Sequence, residues 1–217
     1  MENDTFKYEA SIPKERYFND EYFKRKQLES LVSQIVAVHK LRPSSVLEIG
    51  VGNGFVSHFL KSAGIEVITF DINSNLNPDV IGNLIEIDQY FQPKSFDLIL
   101  CAEVLEHIPF EYFEVILKKF KTISRMNVVI TLPRRHRILL DFRAYIKIPF
   151  IKPLNINIFH RISDKNKWEG HHWEIDYKSA FSLASISKLI ARYFKIKENF
   201  ADDIVRHHQF FILENLE

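Results

Sequence analysis

The chain has 217 residues and a mass of 25.7 kDa, with 29 Lys and Arg against 28 Asp and Glu. That length suits one domain that buries roughly 70% of its unfolded surface without staples. The near-even charge excludes a dedicated nucleic-acid binder or an acidic tail, and the single cysteine, Cys101, excludes internal disulfides and cysteine-rich zinc sites. No run of about 18 apolar residues forms a membrane span, and the first residues mix charges where a secretion signal has an apolar centre. A cytoplasmic location is therefore expected. Glycine is scarce, at 6 residues, below half the usual share of about 7%. Three of the six, Gly50, Gly52 and Gly54, fall within five positions.

Along the chain, the apolar spacing over residues 20–39 predicts a helix. Residues 44–49 read as a short buried strand ending at the glycines. A helix over 55–63 follows, with Gly64 where its C-terminal cap belongs. Residues 66–70 form a second strand that ends at Asp71, and Val80–Ile81 a weaker third. Residues 96–101 are a further buried strand, and Pro109 opens a helix to about residue 123. Residues 127–132 complete another strand, stopped by Pro133. After a lapse of about 40 residues, Ser182 caps a helix to about Tyr193, and strands follow over 194–200 and 207–213. Strand and helix alternating at this spacing imply an α/β fold. We expect a Rossmann-like, doubly wound, mostly parallel seven-stranded sheet with helices on both faces and a lid insertion. Within a single domain, 1–43 is a helical cover, 44–133 a cofactor-binding half, 134–176 the lid, and 177–217 the closing helix and strands.

Strand, then Glu48-Ile-Gly50-Val-Gly52-Asn-Gly54, then helix is the sharpest signal. Missing side chains let a ligand approach the backbone, and the following helix offers free N–H groups. Asp71 follows Gly50 by 21 residues, at the tip of the next strand, where an acid can accept both ribose hydroxyls of a nucleoside. The dinucleotide pattern needs a small third residue, but Phe55 or Ser57 stands there. A phosphate loop needs Gly-Lys-Ser/Thr, which is absent. An acid two residues before Gly50 sits badly with a pyrophosphate and suits an ammonium group.

The segment 46–73 (VLEIGVGNGFVSHFLKSAGIEVITFDIN) resembles the class I S-adenosylmethionine-dependent methyltransferases, and 96–109 (FDLILCAEVLEHIP) resembles the fourth-strand motif of their small-molecule branch. The resemblance implies that Glu48, Gly50, Gly52 and Gly54 surround the methionine moiety and that Asp71 holds the ribose. It implies Ile72 beside the adenine, with Asn83 and Leu84 near its edge. The family usually shows an acid after the third-strand glycine. Here Asn83 follows Gly82, which leaves Asp88 as the alternative. The implied cofactor is S-adenosylmethionine, with S-adenosylhomocysteine as product.

Methyl transfer from a sulfonium needs positioning and desolvation, and an oxygen acceptor also gains from a base. Glu103, Glu106 and His107 follow the fourth strand. We take His107 and Glu103 as candidate catalytic groups, against a bland reading in which His107 buttresses the loop. No Asn-Pro-Pro-Tyr sequence follows this strand, which tilts the acceptor away from nucleic-acid amines. In the insertion, His171, His172 and Trp173 with Arg135 are candidate substrate contacts, against an ordinary surface loop. Adjacent histidines on a strand point to opposite faces and make a poor ligand pair, so no metal is expected.

Between Arg134 and Lys152 six basic residues face one acid amid many apolar ones. This strip reads either as a contact for a phosphate-bearing or lipid-linked acceptor at a membrane surface, or as a packed helix with a solvated basic face. The expected function is methyl transfer to a small molecule, oxygen favoured. The alternatives are an RNA or protein methyltransferase and a catalytically idle partner subunit. Nothing in the sequence sets the oligomeric state.

Overall fold

A computed structural model describes residues 2–20, 22–162, 170–203 and 205–216. Helices α1 (Glu2–Ser11) and α2 (Arg25–Leu41) precede strand β1 (Ser45–Ile49), helix α3 (Phe55–Ser62), and strands β2 (Glu66–Asp71) and β3 (Val80–Ile81). Strand β4 (Phe96–Ala102), helix α4 (Phe113–Ile123) and strand β5 (Ser124–Pro133) lead into β6 (Arg137–Ile146) and β7 (Leu154–Ile162). Helix α5 (Leu183–Ile190), β8 (Phe194–Ala201) and β9 (His208–Asn215) close the chain.

Seven strands form one sheet in the order β3-β2-β1-β4-β5-β9-β8. The first five run parallel, and β9 is antiparallel to both β5 and β8. This is the expected Rossmann-like sheet. The side-chain period of two divides each central strand between two cores. Val46, Leu98, Leu100 and Val129 pack on one face with Ile35 and Val38 of α2 and Val56 and Leu60 of α3. Leu47, Ile99, Cys101 and Val128 pack on the other with Ile116 and Phe120 of α4 and Ile186 of α5. Because strand order reverses between β1 and β4, their carboxyl ends open a crevice, the usual ligand position in such sheets.

The region 134–152 departs from the packed-helix reading. It supplies β6, which pairs antiparallel with β7 in a separate two-stranded ribbon. Leu140, Phe142, Ile146, Leu154 and Ile158 line one side of this ribbon and are each 42–54% exposed. The opposite side is held to the main body by Arg206, whose guanidinium lies over the Phe159 ring and pairs with Asp141 at 3.4 Å. The accessible surface is 12304 Å², against roughly 10,400 Å² for a compact chain of this mass. Among the described residues, no helix is long and apolar enough to cross a membrane.

Candidate active site

The turn after β1 is shaped by three glycines at positive φ, with Gly54 capping α3. At Gly50, a Cβ would come within 2.4 Å of Val104 Cγ2, so the β4 loop closes against bare backbone. The turn is tied to β2 twice. Gly50 N–H donates to the Phe70 carbonyl at 3.0 Å, and Val51 N–H to Asp71 Oδ2 at 2.8 Å. Asp71 Oδ1 accepts from Asn73 N–H at 2.8 Å. The carboxylate is thereby fixed in orientation, and each oxygen keeps acceptor capacity. Burial raises the Asp71 pKa above the usual carboxylate value.

Glu48, on the α3 side of β1, is 4% exposed. Its Oε2 has no hydrogen-bond partner among the described residues, and burial pushes its pKa up to about 8. A buried carboxylate beside a bare turn is electrostatically suited to a cationic ligand group. Ile72 is half-buried beside Asp71. Asn83 accepts from Ile85 N–H at 3.0 Å, and Leu84 is buried in the core. Gly82 has a packing reason of its own: a Cβ there would meet the Phe70 and Tyr90 rings at 2.7–2.8 Å. The alternative, Asp88, lies on the exterior in an ion pair with Lys119 at 2.6 Å.

Three N-terminal groups that the sequence reading missed cover this crevice. Ile12 carbonyl accepts from Asn73 Nδ2 at 2.8 Å. Tyr17 Cδ1 lies 4.0 Å from where a Gly52 Cβ would sit, and burial pushes its hydroxyl pKa up. Glu9 reaches His107, with Oε1 3.1 Å from Nδ1. Helix α1 carries no apolar stripe, which is why its docking left no trace in the hydropathy.

Beyond β4 the chain makes a short helical turn over Leu105–His107. Glu103 adopts a left-handed conformation (φ 53°), held by its N–H to Thr131 O at 3.2 Å. Its Oε1 accepts from Thr131 Oγ1 at 2.8 Å, and its Oε2 lies 3.5 Å from His208 Nε2. Burial pushes Glu103 up to about 8. Glu106 is 1% exposed, and burial first and the Glu103 charge second raise its pKa well above the ordinary value.

The segment over residues 170–176 folds back onto this loop. His172 N–H donates to Glu106 O at 2.8 Å, and Trp173 Nε1 to the Leu105 and Ile108 carbonyls at 3.2 and 3.1 Å. His171 meets the His107 ring edge-on with centroids 4.8 Å apart, and its Nδ1 lies 2.9 Å from Glu174 Oε1. Arg135 Nη1 approaches the other oxygen of Glu174 at 3.7 Å. The structure therefore gathers Glu103, Glu106, His107, His171, Glu174 and Arg135. It separates His172, whose side chain is exposed, and Trp173, which is 1% exposed against Phe110 and Phe113. Trp173 anchors this segment in the core and does not wall the crevice.

A family model described as a methyltransferase domain matches residues 20–189. No curated protein sequence matches. Among solved structures, magnesium protoporphyrin IX methyltransferase (ChlM) from Synechocystis PCC 6803 with bound SAM is similar at TM-score 0.60 and 14% identity, over 99% of this chain and 97% of that one. The N-methyltransferase NodS from Bradyrhizobium japonicum WM9, in complex with S-adenosyl-L-homocysteine, gives 0.60 and 11% over 99% and 98%. The 1,6-didemethyltoxoflavin-N1-methyltransferase of Burkholderia thailandensis gives 0.55 and 14% over 87% and 79%. These identities speak to the fold, and the family model, covering most of the sequence, to membership: the chain belongs to the methyltransferase-domain family.

Proposed function

We propose that the chain transfers the methyl group of S-adenosylmethionine to an oxygen of a small-molecule acceptor, releasing S-adenosylhomocysteine. The observation that carries this reading is the cluster of Glu103, Glu106 and His107 at the crevice, beside the glycine turn. In the bound state Glu48 faces the methionine ammonium and Asp71 accepts from the ribose hydroxyls. Ile72, Asn83 and Leu84 lie toward the adenine. The three solved neighbours, each crystallised with S-adenosylhomocysteine or SAM, and the grouping of Glu48, Gly50, Gly52, Gly54 and Asp71 support that cofactor.

The acceptor oxygen attacks the sulfonium methyl carbon, the carbon–sulfur bond breaks, and its electron pair stays on sulfur. The hydroxyl proton passes to the cluster, with Glu103 and His107 as the groups in reach of the acceptor. A carboxyl raised to about 8 keeps its proton over most of the neutral range, so Glu103 acts as base through its ionised minority, which the same shift makes more basic. Positioning and exclusion of water by the N-terminal cover and the lid supply the remainder.

A specific observation bears on acceptor class. The β6–β7 ribbon exposes an apolar face, and its turn carries fully exposed Phe150 between Lys147 and Lys152. That combination favours an acceptor that is lipid-linked or phosphate-bearing, met at a membrane surface by peripheral contact. The same basic strip is where an RNA or protein substrate would dock. With Cys101 buried and unpaired, a reducing cytoplasmic setting suits the chain.

Calorimetric titration with S-adenosylhomocysteine tests the cofactor half of the reading, and no heat of binding would end it. Labelled donor incubated with separated lipid, polar-metabolite and RNA fractions tests the acceptor half. Transfer confined to RNA would overturn the small-molecule assignment.

A further inference from the structure

The cluster beside the crevice has the composition of a metal site. One ligand atom from each of Glu106, His107 and His171 lies within 4.8 Å of the others. Bound to one cation at about 2.1 Å, such atoms stand about 3.0–3.4 Å apart. The backbone is already clamped there by the His172 N–H to Glu106 O hydrogen bond of 2.8 Å.

Two further features point to a cation. Glu106 is 1% exposed, yet its Oε2 accepts no hydrogen bond among the described residues. A buried carboxyl oxygen left without a partner is costly, and a bound cation would satisfy it. In addition, the His171 imidazole is oriented from behind by a carboxylate, its Nδ1 lying 2.9 Å from Glu174 Oε1. His107 Nδ1 lies 3.1 Å from Glu9 Oε1 without the geometry of a hydrogen bond. A ring that donates Nδ1–H to a carboxylate presents its Nε2 lone pair on the opposite side, the arrangement that metal-binding histidines use. His107 Nε2 is turned toward Glu106, at 4.0 Å from Oε1.

We propose that Glu106, His107 and His171 bind one divalent first-row cation. Two imidazoles and one carboxylate favour Mn²⁺, Fe²⁺, Co²⁺ or Zn²⁺ over the harder Mg²⁺ and Ca²⁺. Three protein ligands leave positions open for an acceptor bearing one or two oxygens, so the proposal rests on the oxygen-acceptor reading and deepens it. The cation draws the acceptor hydroxyl into place and favours its ionised form, and proton removal falls to Glu103. Glu174 is a positioning residue. The adjacency of His171 and His172 argues against those two as a pair, as the exposed His172 illustrates. His171's partners come from the β4 loop instead, 64 and 65 positions earlier in the sequence.

The test is titration of chelator-treated full chain with Co²⁺, read by visible absorption, and with Zn²⁺ in competition. One equivalent should bind with ligand-field bands. His171→Ala and Glu106→Gln should each weaken it at least about a hundredfold, and Glu174→Gln about 10- to 100-fold. S-adenosylhomocysteine titration of each variant reports folding and the cofactor site independently. No band, or equal affinity in His171→Ala and Glu106→Gln that still bind S-adenosylhomocysteine, overturns the metal site and leaves the methyl-transfer reading standing. Loss of S-adenosylhomocysteine binding in the parent chain overturns that reading instead.

Discussion

Gly50→Ala places a methyl group where the structure leaves no room. The new Cβ sits 2.4 Å from Val104 Cγ2, at least 1 Å inside ordinary contact, on a residue with φ of 83°. A left-handed backbone costs an L residue about 1–2 kcal/mol, and overpacking about 1–3 kcal/mol more. The variant should therefore lose about 2–5 kcal/mol, unless the β4 loop retreats. In that case the loss moves into cofactor affinity, at a factor of ten for each 1.4 kcal/mol. Urea unfolding of the free chain and calorimetric titration with S-adenosylhomocysteine measure the two shares. Val104→Ala removes the clashing methyl, so Gly50→Ala with Val104→Ala should recover the steric share and keep the backbone share. A coupling of about 1–3 kcal/mol between the two positions is expected. If Gly50→Ala costs under about 0.5 kcal/mol and leaves affinity unchanged, or if Val104→Ala recovers nothing, the close approach is not what the glycine serves.

Asp71→Ala should weaken S-adenosylhomocysteine at least about a hundredfold, because a charged acceptor and the anchor of Val51 and Asn73 are lost together; calorimetry reads it. The folded chain keeps a proton on Glu48 between pH 4.5 and about 8 that the unfolded chain has released. Stability of the free chain should thus fall with rising pH across that window, by up to about 1.4 kcal/mol per pH unit. Glu48→Gln should flatten the slope in urea unfolding at each pH, and a parent-minus-variant difference independent of pH would refute the assignment. Trp173→Ala should destabilise by about 3–5 kcal/mol, with acceptor turnover falling further than cofactor affinity. Phe142→Asp with Phe150→Asp should reduce sedimentation with anionic lipid vesicles while S-adenosylhomocysteine binding is kept; unchanged sedimentation would count against the ribbon as a membrane contact.

The glycine turn and the acid beside it are readable from the chain because their requirements are local. Gly50, Gly52 and Gly54 answer to backbone angles and one close contact, and Asp71 to its place at the end of a short strand. The ribbon illustrates the opposite case. Ile138, Leu140, Phe142, Ala144 and Ile146 alternate with period two, the strand signature, but the interleaved Leu139 and Tyr145 blur it into a helical face as well. Trp173 shows a further limit. In sequence it sits among His171, His172 and Glu174 and reads as part of a polar loop. Its burial is decided by carbonyls of Leu105 and Ile108, more than 60 positions away. The Glu106, His107 and His171 cluster is likewise a product of that long-range fold-back.

The N-terminal segment has no footing of its own. Residues 9, 12 and 17 meet positions 107, 73 and 52, which lie 98, 61 and 35 positions further along the chain. The turns after β1, β2 and β4 must therefore be in place before α1 and the residues after it have anything to rest on.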